Sequence, residues 1–319
     1  MESRYVLCRP QGGLNDMLCQ IEKCCEYGQR YNRKVVVDTN HNALTSFQDR
    51  LSNYFISRNE NLILDFESVS REIDTNDVYP ESLSGHINDY TSKFRRRKRK
   101  SVIFWYYNRR QEKRCPRSGY YDDTNTLISF DFNRDYKHAV VVHDQCGGGD
   151  DSIYALLRLN LHDAINIQLA QRIEKIGQPY IAIHIRNTDY TTDYLDGLKS
   201  IQNVHHLPYF IATDSADALE DCRQILGTDN IYNFTKVLSK DGSPIHQNPT
   251  HENNIDAITD LLMLALGKQF IRFRLNQNCN RTDYSGFSRL AFNLHERRQV
   301  LEHLIQHRTP LISKLLWHA

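Results

Sequence analysis

The clearest indication of the fold class comes from the stretch RYVLCRPQGGLNDMLCQIEKCCEYGQRYNRKVVVD, from Arg4 to Asp38. An apolar run leads into Gly12 and Gly13, apolar side chains then recur with helical spacing, and a β-branched run ends at Asp38. One acidic residue, Asp16, stands near the start of the helical pattern and basic residues near its end, as the helix dipole favours. Strand, glycine turn, helix and strand predict one βαβ unit that opens a parallel sheet.

The adjacent glycines, Gly12 and Gly13, have two explanations. Glycine allows a tight strand-to-helix turn, because a residue without Cβ adopts positive φ at little steric cost. A glycine turn at a helix start also lets backbone N–H groups approach an anion, most often a phosphate. This stretch alone favours the structural explanation, since Gly-Gly is a far weaker signal than a complete dinucleotide or P-loop motif.

The bulk composition indicates a globular protein of two domains. At 319 residues the chain is long enough for two cores, and we assign 1–175 to an N-terminal α/β domain and 176–319 to a C-terminal one. A formal charge of +1 gives no overall field that attracts nucleic acid or anionic membrane. The first residues do not form a secretion signal, and no apolar run reaches the ~18 residues of a membrane span. A cytoplasmic protein is therefore expected.

The cysteine pattern favours free thiols. Eight cysteines stand at positions 8, 19, 24, 25, 115, 146, 222 and 279, and none forms a CxxC pair. Four of them fall within helical patterns. Buried, unpaired thiols are expected rather than disulfides or zinc.

The middle third, from about 41 to 135, is polar and rich in aromatic residues. It contains a predicted strand at Val102–Tyr106 and the basic run FRRRKRK at 94–100. This run is typical of a solvated loop, of a contact with anionic lipid or charged glycan, or of nucleic-acid binding. The near-zero net charge and the lack of a zinc, helix-turn-helix or RNP pattern weigh against nucleic acid.

The remaining sequence alternates between strands and helices, which implies a second parallel sheet. The triple-glycine segment DQCGGGDD, Asp144 to Asp151, is expected to be a loop near the domain boundary. A polar loop is expected at 238–254. We predict strands at 138–143, 180–186, 208–214, 230–233 and 270–274, and helices at 152–175 in one or two pieces, at 215–227, at 256–266, and from 284 onward.

Polar residues at the strand ends are the candidate site, because open α/β sheets bind ligands beyond the carboxyl ends of their strands. In HIRNTDY, His184 and Arg186 share one face of a strand, since side chains alternate with period two. The planar fork of an arginine suits a diphosphate. A structural ion pair between Arg186 and Asp189 is the alternative.

Two further segments also place polar residues at the end of a predicted strand or the start of a predicted helix. ATDS ends the next strand at Asp214, whose carboxylate is able to accept two N–H donors from a purine edge. YSGFSRL places Ser285, Gly286 and Ser288 at a helix start, where hydroxyls and amides bind phosphate. Both segments also have a structural explanation as helix caps. Asp214 or Ser215 would cap one helix, and Ser285 or Ser288 would cap the other.

These segments, in this order, resemble the fucosyltransferase superfamily of GT-B fold. That group includes bacterial α-1,2-fucosyltransferases, nodulation-factor fucosyltransferases and protein O-fucosyltransferases. GGLNDMLCQ is similar to its glycine turn and first helix, HIRNTDY to its HxRxxD motif, ATDS to its Ala-Thr-Asp strand end, and the segment 256–291 to its last motif. The resemblance covers about 4–38 and 180–295. Asn15-Asp16 stands where the family has Gly-Asn, and Asn187 where some members have a second arginine.

The resemblance implies two Rossmann-like domains whose parallel sheets face a central cleft, with GDP-fucose on the C-terminal domain and a glycan acceptor on the N-terminal one. It implies no cofactor and no metal, because Arg186, the helix dipole and the glycine amides share the charge of the leaving diphosphate. The catalytic candidates are Arg186, Asp16, Asp189 and Asp193. The donor-binding candidates are Gly12, Gly13, Asn15, His184, Arg186, Asp214, Ser285, Gly286, Phe287 and Ser288.

The expected function is an inverting glycosyltransferase that transfers fucose from GDP-fucose to a hydroxyl of a glycan or lipid-linked oligosaccharide in bacterial surface-polysaccharide synthesis. It would work in the cytoplasm, with peripheral membrane contact through 94–100. The alternatives are a transferase using another nucleotide sugar, an inactive glycan-binding module, and a nucleic-acid-binding α/β protein using 94–100.

Overall fold

The computed structural model describes residues 3–40, 47–85, 87–88, 117–121, 127–143, 147–202, 206–236, 239, 249–276 and 283–317. The chain divides into two compact units, 1–158 and 159–319. The sequence interpretation puts this boundary at 175. Residues 159–175 group with the second unit because their helix packs on a later helix of that unit, through a buried arginine described below.

The first unit is built on a five-stranded parallel sheet with strand order β4-β2-β1-β8-β5. Helix α1 follows β1 and leads to β2, which is the predicted βαβ unit. A separate antiparallel pair is formed by β6 and β7. The elements are β1 Tyr5–Cys8, α1 Leu14–Tyr31, β2 Lys34–Val37, β3 Phe55–Ser57, β4 Leu62–Ile63, α2 Ser70–Thr75, β5 Val78–Tyr79, β6 Arg117–Tyr121, β7 Leu127–Asp131, β8 Val140–His143 and α3 Ser152–Leu157.

Helix α1 forms where the sequence predicts it. Its apolar stripe is buried, and Met17, Leu18 and Ile21 are fully enclosed. The helix begins after the glycine turn, in which Gly12 has a φ of 93°. It ends at Asn32, a left-handed residue whose N–H donates to the carbonyl of Gly28. The glycine turn and the asparagine stop thus fix both ends of the helix between the two neighbouring strands.

The second unit is built on a four-stranded parallel sheet with strand order β12-β11-β10-β13. Helices cover both of its faces, as parallel sheets require. The elements are β9 Leu159–Leu161, α4 Asp163–Ile176, β10 Ile181–Ile185, α5 Tyr194–Ile201, β11 Tyr209–Thr213, α6 Ala216–Leu226, β12 Ile231–Tyr232, α7 His251–Leu266, β13 Gln269–Arg272, α8 Gly286–Glu296, α9 Arg298–Leu304 and α10 Pro310–Trp317.

The two faces of this second sheet follow from side-chain alternation. One face carries Ile181, Ile183 and Ile185, which pack with α5 and α6 in a continuous apolar cluster. On the other face, Ala182 lies so close to Gly267, after α7, that a Cβ at Gly267 would come within 2.6 Å of the alanine Cβ. His184 belongs to this second face, which is the one that α7 and α8 cover.

Helix α4 is held on α7 by buried charge pairing. Arg172 donates to Asp260 at 2.6 Å and also pairs with Asp256, and all three side chains are at least nine-tenths buried. Thr235 donates to the other oxygen of Asp260 at 2.8 Å. Burial raises the pKa of Asp260 to about 6, against the opposing effect of Arg172. These bonds join α4 to the second unit.

The α/β class and the two parallel sheets predicted from the sequence are confirmed. The predicted helix at 152–175 is two helices, α3 and α4, separated by β9. The polar loop predicted at 238–254 is wrong at its end, because α7 already begins at His251, where the Thr250 side chain accepts from the Asn253 N–H. The strand predicted at 102–106 and the basic run at 94–100 lie outside the described residues.

The thiol prediction is confirmed wherever the structure describes a cysteine. The cysteines at 8, 19, 24, 25 and 222 are free and buried, whereas those at 115, 146 and 279 lie outside the described residues. Among the described residues, no helix is long and apolar enough to cross a membrane.

Candidate functional site

Two adjacent strands of the second sheet end side by side and deliver charged residues to the same edge. In the β10–β11 register Ile185 lies beside Thr213, so the next residues, Arg186 and Asp214, emerge together. We call this the carboxyl edge, defined by Arg186, Asp214 and the turn at 187–189. In parallel sheets ligands bind beyond such an edge.

Arg186 is held by two carboxylates. Its Nη1 lies 2.6 Å from Asp214 Oδ2, and its Nη2 lies 2.6 Å from Asp189 Oδ1. Its Nε also donates to Asp189 Oδ1, at 2.9 Å. The ion pair between Arg186 and Asp189, which the sequence left as an alternative, is therefore present. The Arg186 side chain is still one-fifth exposed, so part of it remains accessible at the edge.

Asp214 anchors the turn as well as the arginine. It is only 6% exposed, yet its two oxygens accept from the backbone N–H of Asn187 at 3.1 Å and from the Thr188 hydroxyl at 2.6 Å. A buried carboxylate needs such donors to offset the cost of desolvation. The N-cap of α6 is Ser215, whose hydroxyl accepts from the Ala218 N–H. The capping explanation thus applies to Ser215, whereas Asp214 fixes the position of Arg186.

His184 connects the same edge to helix α8. Its Nδ1 lies 2.5 Å from the hydroxyl of Ser288, and its ring centre lies 5.3 Å from that of Phe287, with the two rings tilted by 37°. Ser285 is the N-cap of α8 and accepts from the Ser288 N–H at 3.1 Å, so its capping explanation is correct. Burial lowers the pKa of His184 to about 4, with Asp214 opposing and Arg186 reinforcing the shift. The imidazole is neutral at physiological pH.

Asp193 lies at the start of α5, in a segment fastened to the loop after β13. The Asn276 N–H donates to the Thr191 carbonyl at 2.9 Å. The hydrogen-bond network assigns the Asn276 carboxamide with its nitrogen 2.9 Å from both oxygens of Asp193 and its oxygen 3.0 Å from the Thr191 hydroxyl. Asp193 is exposed and does not use its side chain to cap α5. An oriented, solvent-accessible carboxylate results.

A further arginine at this end of the sheet was missed from the sequence. Arg272 ends β13 in register with His184, so the two side chains share a face. Its guanidinium carbon lies 3.9 Å from the centre of the Tyr284 ring and 3.8 Å from that of Phe292. Such contacts fix a cation by cation–π attraction. The alternation within FIRFR was the available signal, because it places Arg272 on the face of Phe270, which is buried.

In the first unit the glycine turn meets the triple-glycine loop at Asp16. A Cβ at Gly12 would lie 2.8 Å from one Asp16 oxygen, and a Cβ at Gly148 would collide with the other. Asn15 donates to the Gly149 carbonyl at 3.3 Å and accepts from Ser152 at 2.7 Å. The two glycine segments therefore form a close-fitting enclosure around the side chains of Asn15 and Asp16.

A buried ion pair behind this turn was also missed from the sequence. Arg9 and Asp38, at the ends of β1 and β2, lie 2.7 Å apart and are 0% and 1% exposed. The Arg9 Nη1 also donates to the Ile87 carbonyl at 3.0 Å. The available signal was the charged residue directly after each apolar strand. In the sequence, however, an arginine at that position indicates only that the apolar run has ended. The pair holds the two strand ends in place.

The structure thus brings the sequence-predicted residues into two groups. In the second unit His184, Arg186, Asp189 and Asp214 are linked, and His184 is joined to Phe287 and Ser288. In the first unit Asn15 and Asp16 are joined to the glycine segments. Asp193 lies apart from the Arg186 pairs and is linked to Asn276.

Comparison with solved structures supplies close counterparts of the fold. A structure of the α-1,6-fucosyltransferase NodZ soaked with GDP-fucose matches with a TM-score of 0.58 and 17% identity, over 92% of this chain and 93% of that one. NodZ co-crystallised with GDP gives a TM-score of 0.57, also at 17% identity, over 92% of each chain. A NodZ structure from Bradyrhizobium gives 0.56 at 16%, again over 92% of each.

The chain has the fold of NodZ. The likeness extends over 92% of this chain and a similar share of NodZ. No protein-family model matches the chain, and no curated protein matches it significantly. At this level of identity the comparison establishes architecture, and the chemistry has to be argued from the residues of the site.

Proposed function

We propose that the protein is an inverting glycosyltransferase that transfers fucose from GDP-fucose to a hydroxyl of a glycan acceptor. The observation that carries the proposal is Arg186, a partly accessible arginine held between Asp189 and Asp214 at the carboxyl edge of a parallel sheet. The fold likeness to NodZ, which was solved with GDP and GDP-fucose, supports the choice of donor. The glycosyltransferase, glycan and donor assignments are proposals for this chain.

Arg186 would stabilise the leaving diphosphate. Cleavage of the sugar–phosphate bond builds negative charge on the β-phosphate, and a preorganised cation lowers the energy of that transition state. Asp189 and Asp214 already orient the guanidinium, so little reorganisation is needed during the reaction. The N-terminus of α8 and the His184 side chain lie on the same unit and would add donors to the nucleotide.

Asp193 is the carboxylate that we assign as the base. Inversion requires a group that removes the acceptor proton or at least orients its hydroxyl. Asp189 is paired with Arg186, and Asp16 packs against Gly12 and Gly148 and is not without a partner, so both carboxylates are engaged. Asp193 is exposed and oriented by Asn276. The proposed role of Gly12 and Gly13 is to face the acceptor or the diphosphate with their backbone amides.

The experiment for the donor is a panel of nucleotide sugars with measurement of released nucleotide, combined with calorimetry using GDP, UDP and ADP. We expect release from GDP-fucose and binding of GDP only. Arg186→Ala should lower turnover about 100-fold or more while the protein stays folded. Arg223→Ala is the matched control, because Arg223 is an exposed arginine of α6 paired with Glu220. Lack of binding by any guanine nucleotide would disprove the donor.

The base assignment has its own test. Asp193→Asn should lower kcat by a factor of about 10² to 10⁴ and leave GDP affinity unchanged. Asp189→Asn should instead change GDP affinity, because it frees Arg186 from one of its two carboxylates. Equal loss of kcat in the two variants would contradict the division of roles.

The cellular setting is also part of the proposal. A glycan or lipid-linked oligosaccharide of bacterial surface polysaccharide is the proposed acceptor, with the enzyme in the cytoplasm and the basic run 94–100 touching the inner membrane face. Because Arg186 and backbone amides would carry the diphosphate charge, turnover should persist in EDTA. A requirement for added Mg²⁺ or Mn²⁺ would contradict that account.

A further inference from the structure

His184 and Ser288 form a buried hydrogen bond for which the proposed reaction gives no reason. Only 8% of His184 and 2% of Ser288 is exposed. Their Nδ1 and Oγ atoms lie 2.5 Å apart, and the bond joins the end of β10 to the first turn of α8. A hydrogen bond this short and this buried has a definite proton arrangement, because neither group has ready access to water.

The proton arrangement follows from the available acceptors. Within the described part of the chain, Nδ1 of His184 is the one acceptor that contacts the Ser288 hydroxyl. A buried hydroxyl without an acceptor would be destabilising, because it loses its hydrogen bonds to water without replacement. The Ser288 O–H therefore donates to Nδ1, which must carry a lone pair. Since burial keeps the imidazole neutral, the single ring proton lies on Nε2.

Nε2–H is then the polar group of the ring that remains open to solvent or to a ligand, since it is not among the buried atoms that lack a partner. Among the described residues, none hydrogen-bonds Nε2 of His184. Arg186, which directly follows the strand, and Asp214, on the neighbouring strand, act on the ring, and Arg272 stands on the same face in register with His184. The Phe287 ring covers part of the imidazole. A donor is thus prepared, beside the carboxyl edge, for an acceptor that a ligand would supply.

We infer that Ser288 is a positioning residue that fixes His184 as a neutral imidazole protonated on Nε2, so that Nε2–H donates to an acceptor oxygen of the bound nucleotide. The nucleotide part rests on the proposed function. The tautomer part rests on the Ser288 contact and on the burial of the imidazole, and not on the proposed function. The Ser288 hydroxyl already donates its proton to His184 and does not contact phosphate.

The tautomer can be read directly by long-range ¹H–¹⁵N correlation of the imidazole nitrogens in the labelled full chain. The His184 signals are assigned by their loss in His184→Gln. We expect an unprotonated Nδ1 and a protonated Nε2 in the unmodified protein at pH 7.5. A protonated Nδ1 there would overturn the inference without any variant.

Variants then connect the tautomer to binding. Ser288→Ala should shift His184 toward the other tautomer and weaken GDP binding about tenfold, the value of one hydrogen bond. Ser288→Thr keeps the hydroxyl and should restore both. Ser285→Ala is the matched control, because it removes the α8 cap but leaves the His184 contact, so the tautomer should not change. An unchanged tautomer in Ser288→Ala would overturn the positioning role.

The two proposals fail in different ways. If no protein in the series binds GDP, the proposed donor is wrong and the nucleotide part of the inference falls with it. The tautomer measurement still decides whether Ser288 sets the proton position. If GDP binds and Ser288→Ala changes the tautomer without changing affinity, the donor stands and the proposed contact from Nε2–H is overturned.

Discussion

Arg186 shows how much one residue depends on its neighbours. The side chain of its partner Asp214 is buried, whereas that of its partner Asp189 is about one-third exposed. Breaking an exposed ion pair costs little, whereas leaving a buried charge unpaired costs several kcal/mol. An incoming diphosphate should therefore displace Asp189 and leave Asp214 in place. Donor binding at this site would exchange one anion for another.

Residue types at the strand ends could be predicted from the sequence, but their partners could not. Period-two alternation places His184 and Arg186 on one face without any structure. The contact between Arg186 and Asp214 depends on the register of two strands whose ends lie 28 residues apart along the chain. Arg9 was overlooked for the same reason, because its partner Asp38 belongs to another strand.

The buried thiols provide a residue-scale prediction. Burial raises the pKa of Cys25 and of Cys222 to about 12, so almost no reactive thiolate forms at pH 8. Iodoacetamide should leave both unmodified in the folded protein and modify both in denaturant. Peptide mass mapping checks each site separately. Alkylation of either cysteine in the folded state would contradict the described burial.

At the scale of elements, the helix starts were the least predictable feature. The first turn of α7, His251 to Ile255, is mostly polar and carries no apolar periodicity, so the sequence placed the helix start at Asp256. The cap is Thr250, and three residues later stands Asn253 in place of the Glu or Gln of a capping box. Helix α1 was predictable because both its stripe and its glycine turn are visible in the sequence.

Thr250 gives a prediction for this element. Thr250→Ala removes the hydroxyl that accepts from the Asn253 N–H, and should lower the free energy of unfolding by about 1 kcal/mol. Thr250→Ser keeps an acceptor and should lose much less. Urea denaturation of the three proteins at pH 7.5 provides the measurement. Equal stability of the alanine and serine variants would show that the cap is not formed.

For the whole molecule, two buried histidines make stability depend on pH. Burial lowers the pKa of His143 to about 3 and that of His184 to about 4, below the unfolded value of about 6.5. The unfolded chain therefore binds protons that the folded chain does not, and stability falls as the pH drops below 6.5. At pH 5 each histidine lowers the free energy of unfolding by about 2 kcal/mol. Asp260, whose pKa is raised, offsets about 1 kcal/mol of this.

The measurement is urea denaturation at pH 7.5 and pH 5. We expect the free energy of unfolding to be lower at pH 5 by about 3 kcal/mol. His143→Gln should reduce this difference by about 2 kcal/mol, whatever its effect on stability at pH 7.5. His206→Gln changes an exposed histidine and serves as the control. The same pH difference in His143→Gln would exclude a neutral, buried His143.

The glycine segments around Asp16 have a consequence for the tolerance of the gene to mutation. In the sequence, the triple glycine at 147–149 looks like interchangeable low-complexity chain. In a deep mutational scan, however, Gly148 should tolerate substitution poorly, because its Cβ would displace the Asp16 side chain, which Gly12 limits on the other side. Gly149 should accept alanine, since its nearest neighbours are 3.9 Å away. Two adjacent, identical residues would thus differ in their tolerance of substitution.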